Sequence, residues 1–130
     1  MKYMLIMNTP RDGYTQYMNW PAKILEANTA FMQAFSKKLK DAGELAGAAG
    51  LASPDHARLV RSGPGGKPIT DGVFPEAKEF LAGYWIVDCD STERAYEIAA
   101  RASAAPGKGG VPLNMPIEVR EVMGAPPVDM

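Results

Sequence analysis

The chain is poor in the residues that most often build reactive sites. It has one cysteine, Cys89, and one histidine, His56, in 130 residues. A lone cysteine allows no intrachain disulfide and fits a reducing compartment. One histidine and one cysteine far apart make no recognisable ligand set, so no metal is expected; no cofactor is expected either. Charge of one sign is also lacking: 14 basic and 15 acidic side chains leave a formal net charge of -1. Without a basic stripe to neutralise phosphates, nucleic acid is not an expected partner. No apolar run approaches membrane-spanning length. Residues 1–7 are too short for a signal peptide and carry no cleavage pattern. The expectation is a cytoplasmic protein with no membrane partner. Its length suits one domain with a real core, expected over residues 1–123, with residues 124–130, which hold Pro126 and Pro127, as an exposed tail.

Short apolar runs alternate with helical patterns. Tyr3 to Met7 reads as a buried strand, and Pro10, Asp12 and Gly13 mark a loop after it. Asn19-Trp20-Pro21 reads as a helix start, with Asn19 as the cap. Ile24, Asn28, Phe31, Met32, Phe35, Leu39 and Ala42 follow at helical spacing, and Gly43 ends the helix in a left-handed cap. Residues 44–51 are a weak strand. Residues 57–61 and 68–70 form a hairpin around the Ser62-Gly63-Pro64-Gly65-Gly66-Lys67 turn. Residues 82–88 are the clearest strand. Asp90-Ser91-Thr92-Glu93 has capping-box form and opens a second helix with Ala95, Ile98, Ala99 and Ala102 on its apolar face. Residues 105–116 read as a loop able to serve as a mobile lid, and 117–123 as the last strand. The fold class is therefore α+β: a split βαβ sheet with two helices on one face. The other face needs a cover that the chain does not supply. A second copy is the economical answer, which makes a homodimer with an enclosed cavity the expected functional unit.

The stretch Asp71-Gly72-Val73-Phe74-Pro75-Glu76-Ala77-Lys78-Glu79, followed by Gly83-Tyr84 and Asp88, resembles the signature of the DGPF-type YCII-related proteins. Lys2-Tyr3-Met4-Leu5-Ile6, Ala42-Gly43-Glu44-Leu45 and Glu118-Val119-Arg120 extend the resemblance over nearly the whole chain. It implies a ferredoxin-like subunit in a dimeric α/β barrel and an enzymatic role whose substrate is not established. Two positions depart from the pattern. The family's usual proline is Val73 here, with Pro75 two places later. The wider YCII group carries a histidine in its first helix, proposed to pair with an aspartate; Met32 stands there instead, so a His–Asp dyad does not carry over.

Several side chains are candidates for chemistry, each with a plainer alternative. Asp71, after a strand and before a glycine, suits an acid/base, or it caps its own turn. Lys78 suits an anionic substrate group, with Glu79 and Glu76 beside it; the alternative is a solvated ion pair. Arg120 and Glu118 alternate with Ile117 and Val119, which puts both charges on the sheet face away from the helices. There they either bind substrate or pair with each other. Asn28 interrupts an apolar stripe and must find hydrogen-bond partners, in a loop backbone or a pocket. His56, beside Asp55, is a candidate proton shuttle or a solvated loop residue. Tyr84 and Trp85 point to opposite sheet faces, so one of them faces the cavity or the dimer partner. Cys89 reads as inert packing. Pro106-Gly107-Lys108-Gly109-Gly110 lacks the phosphate-loop form. The expected function is a small enzyme using acid/base chemistry on a small polar metabolite in the dimer cavity. The alternative is a non-catalytic dimer that binds a metabolite or a regulatory partner.

Overall fold

The computed structural model describes residues 1–72 and 79–124. Six strands and three α-helices run in the order β1 (Lys2–Thr9), α1 (Gly13–Met18), α2 (Ala22–Asp41), β2 (Leu45–Gly50), β3 (Leu59–Ser62), β4 (Pro68–Asp71), β5 (Phe80–Asp88), α3 (Thr92–Ser103) and β6 (Glu118–Glu121). Four strands form an antiparallel sheet in the order β2-β5-β1-β6, while β3 and β4 pair only with each other. Each helical crossover thus returns to a strand one place removed, an α+β arrangement compatible with a ferredoxin-like fold.

Alternation along β1 and β5 decides which face is core. Tyr3, Leu5, Trp85 and Val87 are buried and meet Phe35 and Leu39 of α2 and Ala95, Ile98, Ala99 and Ala102 of α3. Leu5, Val87, Leu39 and Ile98 are fully buried, each contributing about 1.5–3 kcal/mol by leaving water. Phe35 meets Trp85 edge-on, with centroids 5.3 Å apart. Ile117 and Val119 pack on the same core, so Glu118 and Arg120 lie on the opposite face, as the alternation predicts. Successive rungs of that open face read Gly47–Ile86–Met4–Arg120 and Ala49–Tyr84–Ile6–Glu118. Its centre is apolar.

The helix count differs from the two expected. Between the loop expected to end at Gly13 and the helix start expected at Asn19, residues Gly13–Met18 form α1, a helix of six residues with no side-chain cap. Its presence changes the start of α2. Asn19 does not cap α2 but ends α1; Pro21 is the cap, and its carbonyl accepts from Ile24 N and Leu25 N. Gly43 does close α2 in a left-handed conformation, at φ 72°. Glu44 N donates to Leu39 O at 2.8 Å and Gly43 N to Lys40 O at 3.0 Å, the paired bonds of a Schellman turn. At α3 the cap is Ser91, whose hydroxyl accepts from Arg94 N at 3.1 Å; Glu93 stands in the first turn beside the helix's positive pole.

Residues 105–113 are not a loose loop. Gly107 N donates to Val111 O, and Leu113 N to Ala105 O, which closes a small hairpin. Ser103 Oγ donates to Met115 O at 2.6 Å and ties the following residues to the end of α3. The C-terminal residues 125–130, expected as a tail, lie outside the described residues.

Candidate functional site

A cavity of about 630 Å³ opens where β1 finishes and β5 begins, within the size range of small-molecule sites. Its origin is local. Gly83 of β5 pairs with Met7 on one side and Gly50 on the other, and β1 carries an irregularity between Met7 and Asn8. Two glycines on one rung leave the helix face bare beside Trp85, and the cavity also touches Tyr84, which belongs to the open face. Gly83 is required by close approach: a methyl there would stand 2.9 Å from Ala49 O. Tyr17 and Trp20 close one wall, their ring centroids 5.1 Å apart. Met32 of α2 and Leu113 and Met115 of the tethered hairpin region close another.

Asn28 is the polar centre of this wall. It is 4% exposed and lines the cavity. Its Nδ2 donates to Pro106 O at 3.0 Å, and its Oδ1 accepts from the Tyr17 hydroxyl at 3.4 Å. Both readings of this residue therefore hold together: it bonds a loop backbone and it faces a pocket. It also ties Pro106, in the stretch read as able to serve as a lid, to α2.

The other candidates are dispersed. Asp71 ends β4 opposite Leu59 and is exposed; it is not among the residues that line the cavity. Glu79 is exposed just before β5. Lys78, with Val73, Pro75 and Glu76 of the motif, lies outside the described residues. His56 sits in a short 3-10 turn, Pro54–His56, and borders a smaller depression of about 380 Å³. That depression shares Leu51, Ala52, Pro54 and Leu81 with the larger cavity. The acid beside His56 is engaged elsewhere: Asp55 accepts from Arg11 Nε at 3.1 Å. Arg120 Nε stands 3.7 Å from Glu118 Oε2, with the arginine 72% exposed, which is the mutual pair rather than a buried anion clamp. Tyr84 and Asn28 are the sequence candidates that the cavity brings together.

Two features escaped the sequence reading. Tyr17 was hidden because α1 itself was, and Trp20, named only as part of a helix start, gave no sign that it meets Tyr17. The ion pair of Glu44 with Arg94 joins residues fifty positions apart: Arg94 Nη2 reaches Oε1 at 2.8 Å and Nε reaches Oε2 at 2.9 Å. Hydrogen bonds from Arg94 hold the Glu44 carboxyl below its ordinary value, against the opposing effect of burial. Bonds to Glu44 and Glu97 push Arg94 upward. Cys89 is buried, and burial pushes its thiol up; with Sγ 3.4 Å from Ser91 O, it packs as expected of an inert thiol.

Comparison with known sequences gives two findings. An uncharacterized protein of Rhizobium meliloti (strain 1021) is 34% identical over 74 residues, 57% of this chain and 60% of that protein. The chain thus spans less than two thirds of that relative. The family model of the YCII-related domain matches residues 1–114. A match over most of the chain, on a fold that the same residues build, places it: this protein belongs to the YCII-related domain family.

Proposed function

We propose that the protein is a homodimeric small-molecule-binding protein of the cytoplasm, its two open sheet faces packed together as a dimeric α/β barrel. The observation that carries the binding role is the cavity between the sheet end, α1 and α2, with the buried Asn28 in its wall. The dimer is supported by the open face, where Met4, Ile6, Tyr84 and Ile86 form a partly buried apolar centre that no helix among the described residues joins to the buried core. Such a face gains by leaving water against a like surface. A metabolite screen read by thermal shift tests the binding role, since a ligand that binds only the folded state raises the melting temperature. A library that shifts no melting temperature sinks it.

Acid/base catalysis by Asp71 is the second reading, and the position of its strand favours it. The β3–β4 hairpin stands outside the four-stranded sheet and exposes Leu59 and Val60. A two-stranded hairpin is marginal alone, so one that presents apolar side chains is suited to pack on a partner. In a dimer in which this arm packs on the partner, Asp71 would stand at the interface between the subunits. A reaction found by screening should be lost in Asp71→Asn while fold and dimer persist. Full turnover in that variant would leave binding alone.

A further inference from the structure

The cavity's chemistry differs from that of a site for small charged metabolites. Its walls are aromatic and thioether: Tyr17, Trp20, Trp85, Met7, Met32 and Met115. Its polar lining is neutral, drawn from Asn8, Thr9, Gln16 and Asn28. Among the described residues that line it there is no Asp, Glu, Lys, Arg or His. An ionised ligand that entered would shed water against thioether and ring carbon and meet no counter-charge among the described residues, and that desolvation is costly. A flat uncharged ring meets the opposite situation. Aromatic and methionine walls favour it through dispersion and offset stacking. One polar substituent could still be satisfied at the Tyr17 hydroxyl. That hydroxyl spends its proton on Asn28 at 3.4 Å, a long bond, and keeps lone pairs for a ligand donor.

We propose that this cavity takes an uncharged, largely apolar ring compound whose single hydroxyl or amine donates to the Tyr17 hydroxyl beside Asn28. The proposal rests on the reading of the cavity as a small-molecule site and narrows its ligand class. It replaces the small polar or anionic metabolite that the sequence suggests with a neutral aromatic one.

The test is calorimetric titration of the full-length protein at neutral pH with 2-naphthol and with 2-naphthoate, ring compounds of similar size that differ in charge. 2-Naphthol is expected to bind, and 2-naphthoate to bind at least about tenfold more weakly, a ratio that corresponds to about 1.4 kcal/mol. Two variants place the site. Ala48 lines the cavity from the edge strand β2, where an aromatic residue suits strand geometry. Ala48→Phe should weaken 2-naphthol at least about tenfold, with the circular dichroism spectrum unchanged. Tyr17→Phe should weaken 2-naphthol about threefold or more through the lost hydrogen bond. Naphthoate binding as tightly as 2-naphthol overturns the ligand class and leaves the small-molecule site standing. 2-Naphthol binding that ignores Ala48→Phe overturns the proposal, because the compound is then bound elsewhere. If neither compound binds while the metabolite screen finds a charged ligand, the ligand class is wrong and the site stands. If neither binds and the screen is blank, both fall.

Discussion

Glu44 and Arg94 join the two halves of the fold through one two-pronged contact, with bonds of 2.8 Å and 2.9 Å. The Schellman turn at Gly43 delivers Glu44 to the first turn of α3, and the Glu44 carbonyl accepts from Asp88 N at 2.8 Å. One residue thus ties the α2–β2 junction to the end of β5 and to α3. The pair is only partly exposed, at 15% for the glutamate side chain, so it is screened less than a surface pair.

Replacing Glu44 with Gln should cost about 1–3 kcal/mol near neutral pH, the range for a charge-assisted hydrogen bond in a partly buried setting. The pH dependence follows from direction. The folded state holds the Glu44 carboxyl below its ordinary value, so ionisation favours folding. The contribution is complete above the unfolded glutamate value of about 4.3 and fades as the pH falls through the depressed folded value. Urea unfolding of both proteins should therefore show a gap that is widest near neutrality and narrows in acid. A gap independent of pH would mean that charge is not the source.

Asn28→Leu keeps volume and removes both hydrogen bonds. Pro106 O and the Tyr17 hydroxyl then lose their partner inside a largely closed wall, at a cost of about 1–3 kcal/mol. The effect should be local as well as global. Amide exchange at Gly107 and Leu113, whose N–H groups close the small hairpin, should accelerate more than exchange at Leu5 or Val87 in the sheet. Equal acceleration everywhere would show that Asn28 supports the core rather than the hairpin.

How much of this was legible depended on the range of the signal. The strand at Phe80–Asp88 and the helix at Thr92–Ser103 announce themselves through alternation and through a serine cap, both local. Asn28 was legible as a polar gap in an apolar stripe. α1 was not: six residues without a cap or first-turn acid offer no periodicity, and the proline and glycine around them read as loop. With α1 went Tyr17, and with it one wall of the cavity. Glycine turns show the same limit. Gly63 N donates to Lys67 O at 2.7 Å and Gly107 N to Val111 O at 2.8 Å, with Gly65 and Gly109 both at φ 69°. These are one turn built twice. Strand-forming residues flank the first and make it legible as a hairpin; the second lies among prolines, where no strand pattern marks it. No local pattern pairs Glu44 with Arg94, since the fold alone brings them together.

Gly83→Ala and Gly50→Ala should separate sharply, although the two residues face each other across β5 and β2. A methyl on Gly83 stands 2.9 Å from Ala49 O and 3.3 Å from Met7 Cε, while one on Gly50 meets nothing within 4 Å. The backbone oxygen cannot give way without moving the strand, so Gly83→Ala should cost about 1–3 kcal/mol. Gly50→Ala should stay within about 0.5 kcal/mol. Thermal unfolding of both variants decides the matter; similar losses would mean that the rung tolerates no side chain at all, whatever the space.

The open sheet face carries the last prediction. Ile86 lies at its centre, between Gly47 of β2 and Met4 of β1, with Arg120 next along the rung. It takes no part in the buried core beneath the helices. A lysine at this position adds a charge where a second subunit is proposed to pack, on the same face that carries Arg120 one strand beyond Met4. In a dimer joined through this face, Ile86→Lys should halve the mass measured by sedimentation equilibrium. Far-ultraviolet circular dichroism should be unchanged, because the helix-side core is untouched. A control on the exposed side of α3, Tyr96→Lys, should leave the mass alone; Tyr96 is 57% exposed and belongs to a helix on the other side of the sheet. A wild-type chain that sediments as a monomer would remove the barrel. A dimer that survives Ile86→Lys would move the interface to another surface, with the exposed Leu59 and Val60 of the β3–β4 hairpin as the next place to substitute.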